Sequence, residues 1–167
     1  VFMDTKMNNI ILVPTDFTEV GNNAMKQAAD AAKFLSYKTV LLHVIDKNTK
    51  SQLKKEQEGL DAINKRLNSL ADELKNSHNI EVETIAREGD IFTTISEVAQ
   101  DIGANLLYLG THGKVGLQKL TGSFALKVVT SSPVPVVVVQ KRPFDKGYKK
   151  ILLPITSDSG PWEKTKW

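Results

Sequence analysis

Cysteine is absent from the 167 residues, which removes disulfide staples, thiolate metal sites and cysteine nucleophiles together. Histidine is scarce. Only His43, His78 and His112 occur, and no two stand at the i, i+4 spacing of a helical zinc pair, so no histidine metal site is expected. No apolar run reaches the length needed to cross a bilayer. The opening Val1-Phe2-Met3-Asp4-Thr5-Lys6 lacks the basic start and long apolar middle of a secretory signal, so it reads as a short tail and the expected location is cytoplasmic. Excess charge of one sign is missing as well. The formal net charge is +3, and acidic residues are interleaved with basic ones along 54–58 and 65–75, a pattern of solvated helix faces that argues against nucleic-acid binding.

What is present is a series of short, dense aliphatic runs. Ile10-Ile11-Leu12-Val13, Thr39-Val40-Leu41-Leu42-His43-Val44-Ile45, residues 80–86, Leu106-Leu107-Tyr108-Leu109 and residues 134–139 have the length and β-branched content of buried strands. Helical patterns separate them. Ala24, Ala28, Ala31, Ala32 and Leu35 recur at the spacing of a helix packed closely on a sheet, and Leu60, Ile63, Leu67, Leu70 and Leu74 mark a second amphipathic helix. Asp90 is placed to cap a third, which buries Ile91, Ile95, Val98 and Ile102 and ends at Gly103. A fourth runs from Ser123 through Val129 and is stopped by Ser131-Ser132-Pro133. Strands alternating with helices predict an α/β fold: an open five-stranded parallel sheet with helices on both faces, joined by right-handed crossovers.

Beyond Gln140 the texture changes. Residues 141–147 form a polar Pro/Gly stretch that reads as a linker after a domain spanning 1–140. Residues 148–167 open with Tyr148-Lys149-Lys150-Ile151-Leu152-Leu153-Pro154-Ile155-Thr156-Ser157-Asp158, which echoes Met7-Asn8-Asn9-Ile10-Ile11-Leu12-Val13-Pro14-Thr15-Asp16. They read as the start of a second copy, cut short, although a stray terminal strand would look the same.

In an open parallel sheet, ligands collect beyond the carboxyl ends of the strands, where adjacent connections leave toward opposite faces. Strand one ends in Val13-Pro14-Thr15-Asp16-Phe17-Thr18, and strand four in Leu109-Gly110-Thr111-His112-Gly113-Lys114-Val115-Gly116, with Gly122-Ser123 at a following helix start. Glycines let backbone amides approach an anion, and a helix amino terminus adds unpaired donors, so main-chain donors between Leu109 and Phe124 are expected to form a phosphate pocket. Two glycine motifs do not fit. A P-loop needs four residues before its Gly-Lys and a Ser or Thr after it, whereas Gly110 is followed too soon by Gly113-Lys114 and then by Val115. The dinucleotide fingerprint follows the first strand, not the fourth.

Together, Val13-Pro14-Thr15-Asp16-Phe17-Thr18, Leu42-His43-Val44-Ile45 and Gly110-Thr111-His112-Gly113 running to Gly122-Ser123 resemble the universal stress protein family over roughly residues 8–140. The resemblance implies a Rossmann-like fold of the adenine nucleotide alpha hydrolase-like type. It places Asp16 on ribose hydroxyls beside Pro14 and Thr15, and Val44 with Leu109 against adenine. Gly110, Gly113, Gly122, Ser123 and Phe124 would meet phosphates, with His112 and Lys114 nearby. ATP or AMP is the implied cofactor, with magnesium accompanying ATP. The loop is one residue shorter than in ATP-binding members, since only Lys114 to Thr121 separate Gly113 from Gly122.

Each residue has a second reading. Asp16 and Ser123 suit helix capping as well as ligand contact, Val44 suits plain burial, and His43 suits a core position. The functional reading is a nucleotide-binding stress-response regulatory module without efficient catalysis, with slow ATP hydrolysis compatible with it. The alternative is a family member that binds no nucleotide and acts as a dimeric interaction scaffold. An ATP-using enzyme of the alpha hydrolase class would need a Ser-Gly-Gly-rich loop after strand one, which Pro14-Thr15-Asp16-Phe17 does not supply. The apolar last strand, Val134-Pro135-Val136-Val137-Val138-Val139, is expected at a sheet edge open to pairing with another copy or a tandem domain.

Overall fold

The aliphatic runs assemble into one parallel sheet. In the computed structural model, which describes residues 8–111, 121–140, 150 and 152, the strands are β1 (Ile10–Pro14), β2 (Lys38–Ile45), β3 (Val82–Glu88), β4 (Leu106–Gly110) and β5 (Val136–Val139), in the spatial order β3-β2-β1-β4-β5. All four pairings are parallel. Parallel neighbours demand crossovers, and these are α1 (Glu19–Leu35), α2 (Lys47–Glu56) with α3 (Asp61–His78), α4 (Ile91–Asp101) and α5 (Thr121–Ser131).

Alternation along the strands divides the core in two. Ile11 and Val13 of β1 and Leu41 of β2 point to one face, where Ala24, Ala28 and Ala32 of α1 and Ile63, Leu67 and Leu74 of α3 cover them. Ile10 and Leu12, with Val40, Leu42 and Val44, point to the other face, where Ile95 and Val98 of α4 and Val128 of α5 pack. Ala24, Ala28, Ala29 and Ala32 are fully buried because small side chains let the helix lie close against β1 and β4, whereas Ala31 is only partly buried and Leu35, at the end of α1, is 40% exposed and not on the packed face. Two helix starts and one helix end are set by identifiable chemistry. Asp90 accepts from the amides of Phe92 and Thr93 at 3.1 Å each, Asp46 accepts from Thr49 at 2.8 Å, and Gly103 takes φ +61° after α4.

Several features differ from the pattern read in the sequence; β5 starts at Val136, two residues after the expected start, and α5 at Thr121, two residues before Ser123. A separate helix, α2, precedes α3; only Leu53 of its ten residues is buried, so it carries no apolar periodicity. Leu60 lies before α3, not on its buried face, and remains 46% exposed. The third strand begins two residues after Ile80, because Asn79 ends α3 in the left-handed region and pairing with β2 starts at Val82. The β5 edge is where it was expected, with Val138 exposed. The proposed linker, and the second copy apart from Lys150 and Leu152, lie outside the described residues.

Candidate functional site

β1 and β4 are neighbours, yet α1 leaves β1 toward one face while α5, which follows β4, packs on the other. This is the topological switch point at which a crevice must open. A cleft of about 630 Å³ lies there, within the usual size of a small-molecule site. Its wall on the α4 side is apolar, made by Leu42, Val44 and Leu109 with Ile91 and Ile95. On the α3 side it is polar, with His43, Thr49, Gln52 and Arg66.

The turn after β1 is built by a relay of short polar side chains. Thr15 extends the pairing with β2 by donating its amide to Leu42 O at 2.8 Å, and its hydroxyl accepts from the Phe17 amide at 3.1 Å. Phe17 is thereby held at φ +63°. Asp16 Oδ1 accepts from both the amide and the hydroxyl of Thr18, at 3.0 and 2.6 Å, and Thr18 Oγ1 in turn accepts from the Gly21 amide at 3.3 Å to cap α1. Asp16 therefore orients the capping threonine and is not itself the cap. Both bonds fall on one carboxylate oxygen, and the exposed residue still lines the cleft.

His43 is buried under this turn. Its Nδ1 lies 2.8 Å from Thr15 O, and because a carbonyl only accepts, Nδ1 carries the hydrogen and Nε2 is the acceptor, 3.4 Å from Thr49 Oγ1. Phe17 stacks on the ring at 4.5 Å between centroids. Burial lowers the His43 pKa and outweighs the raising effects of the Thr15 bond and of Asp16 and Asp46 nearby, so the ring is neutral. At the start of α2, burial would raise the Asp46 pKa, but the hydrogen bonds from Thr49 and Asn48 together hold it below the usual carboxylate range. Arg66 is held by Glu56 at 3.0 Å and Glu58 at 2.6 Å.

Gly110 has a structural explanation that the sequence did not reveal. A Cβ there would meet Val20 O at 2.8 Å and Gly21 Cα at 3.3 Å, so its bareness is what lets the first turn of α1 lie against the end of β4. The next amide, that of Thr111, donates to Val139 O at 2.8 Å and is not free for an anion. His112, Gly113 and Lys114 lie outside the described residues, as do the side chains of Ser123 and Phe124; Gly122 and its two successors stand in the first turn of α5. Among the described residues no cluster of three or more His, Asp or Glu could hold a metal ion.

Comparison with known proteins agrees with this arrangement of strands and helices. The model of the universal stress protein family matches residues 7–140. The chain belongs to the universal stress protein family. Universal stress protein MJ0577 of Methanocaldococcus jannaschii is 31% identical over 156 residues, covering 79% of this chain and 94% of its own. The solved structure of MJ0577 aligns with a TM-score of 0.61 and 28% identity, over 81% of this chain and 98% of that one. Two more distant structures share the fold: a universal stress protein in complex with cAMP (TM-score 0.61, 19% identity, 81% and 99% covered) and a family protein of Arabidopsis thaliana with AMP bound (0.58, 14%, 84% and 97%).

In this universal stress protein the cleft gathers Pro14, Thr15, Asp16, Val44, Leu109 and Gly110 of the residues singled out from the sequence. It adds others that sequence reasoning passed over or placed only in the core: Phe17, Asp46, Thr49, Gln52, Arg66, Ile91 and Ile95. Asp46 and Thr49 did carry a signal, an aspartate three residues before a threonine directly after a strand, the spacing of a capped helix start. Arg66 carried none, since it is one of many charges on an amphipathic helix.

Proposed function

We propose that the chain is a cytoplasmic regulatory module that binds an adenine nucleotide, ATP or AMP, and changes its contacts with partners according to occupancy. The observation that carries this is the cleft itself. It stands at the switch point, joins an apolar slot of Leu42, Val44, Leu109, Ile91 and Ile95 to the exposed carboxylate of Asp16, and so offers a surface for a flat base next to an acceptor for sugar hydroxyls. The family membership and the two relatives solved with AMP and cAMP support the same ligand class.

In this reading Val44 and Leu109 pack on the base, Pro14 and Thr15 shape the sugar edge, and Asp16 accepts from the ribose. Gly113, Gly122, Ser123 and Phe124, with His112 and Lys114, receive the phosphates, and magnesium accompanies the triphosphate. Gly110 contributes by admitting α1 to the site. Hydrolysis would need a base beside the terminal phosphate. Asp16 stands at the sugar end, so no efficient turnover is expected. The exposed β5 edge is the surface for pairing with a second copy, in another chain or in tandem after residues 141–147.

A thermal-shift titration with ATP, ADP and AMP tests this. Binding to the native state alone raises stability with ligand concentration, by about 2.7 kcal/mol at a hundredfold excess over Kd. Asp16→Ala is expected to weaken the shift. Melting unmoved by any of the three nucleotides would support the scaffold reading instead, and a shift that Asp16→Ala leaves intact would take the sugar away from this carboxylate.

A further inference from the structure

α2 is attached to the fold differently from every other described helix of the first face. α1 buries eight residues and α3 four, whereas α2 buries only Leu53. Yet Asn48, Thr49, Gln52 and Leu53, one face of α2, line the cleft, and Thr49 Oγ1 lies 3.5 Å from Val44 O on the strand assigned to the base. Besides Leu53 and the Thr49 contacts with His43 and Val44, what holds this helix down is ionic and exposed. Lys50 pairs with Glu88 at the end of β3, and Glu56 with Glu58 grips Arg66 of α3, all with side chains between 37% and 53% accessible. Its far end is an exposed bend: Gln57 sits at φ +56°, residues 57–60 are all exposed, and nothing lies within 4 Å of where a Cβ on Gly59 would stand.

We propose that α2 is an ionically latched lid. It opens as a unit turning about its two ends, Asp46 and residues 57–60, releasing Leu53 and Thr49 from the fold to admit a ligand, and it closes with the two latches re-formed. Only the identity of the ligand rests on the nucleotide reading; the opening is a property of the free protein. One buried leucine and exposed ion pairs hold far less firmly than a packed face, so local opening should occur well below the energy of global unfolding. Salt should promote it, because exposed pairs are screened.

Amide hydrogen exchange on the full chain decides this, followed at about 20 mM and about 0.5 M salt, which straddle the screening range. The expected result is that amides 51–56 exchange far faster than those of α3 and α4, and roughly two- to fivefold faster at high salt. Glu56→Gln with Glu58→Gln, outside the cleft, should reproduce the acceleration at low salt and weaken the salt response, with α4 unchanged. AMP should slow the exchange of α2. Protection of α2 equal to that of α3 and α4, or indifferent to both salt and substitution, overturns the lid. If AMP raises the melting temperature without slowing α2, the lid is overturned and the nucleotide site stands. If AMP does neither while α2 opens in a salt-dependent way, the nucleotide reading fails and the latch stands.

Discussion

Replacing Gly110 by alanine should destabilise the protein in the absence of any ligand. The added Cβ would stand 2.8 Å from Val20 O, 3.1 Å from Val20 C and 3.3 Å from Gly21 Cα, all main-chain atoms that cannot rotate away. Reaching the 3.4 Å of ordinary contact from 2.8 Å requires the first turn of α1 to retreat by about 0.6 Å. Overpacking on this scale costs about 1–3 kcal/mol, and the reduced freedom of the unfolded chain returns about 0.4–1 kcal/mol. The net loss, centred on about 1.3 kcal/mol, corresponds to a fall of roughly 3–5 °C in Tm for a chain of this size. Gly59→Ala is the matched comparison, since nothing lies within 4 Å of its Cβ position and its φ is not in the left-handed region. It should be neutral or stabilising by up to about 1 kcal/mol. Thermal and urea melts of the three proteins without nucleotide read the difference. If Gly110→Ala melts with the wild type but loses its nucleotide response, the glycine serves an approaching anion and the packing argument is wrong.

Two further outcomes can be checked with the same melts. The folded-state pKa of His43 is lowered from its ordinary 6.5, mainly by burial, so the unfolded chain binds the proton first as pH falls. Stability should therefore be complete above about pH 6.5 and decline below it toward the folded pKa, and His43→Gln should flatten that slope in urea midpoints taken at about pH 7.5 and about pH 5.5. Asp90→Ala removes the acceptor for the amides of Phe92 and Thr93, and should cost about 1 kcal/mol; an unchanged midpoint would mean that water replaces the cap without loss.

The fold was legible because its signals are collective. Ile10-Ile11-Leu12-Val13 and Leu41-Leu42 need two apolar faces, and that alone demands helices above and below a parallel sheet. The cap at Asp90 and the stop at Gly103 were legible because each is set by neighbours in sequence. The cleft was half legible. Pro14, Thr15 and Asp16 announce themselves by following a strand, whereas Arg66 and Gln52 reach the site only through the path of α2 and α3, which no local pattern encodes. The packing requirement at Gly110 was not legible because it comes from Val20 and Gly21, some ninety positions earlier, and a contact of that range leaves no trace in spacing.

That contact also fixes where the molecule can be re-engineered. At Gly21 and Gly110 two backbones touch, so the corner has no thickness to give, and variation there would disturb every strand it joins. The opposite rim is different: Asn48 and Gln52 are exposed residues on a helix with one buried side chain, and they can change without cost to either core. A library aimed at altered ligand preference should begin on that rim and leave the corner untouched.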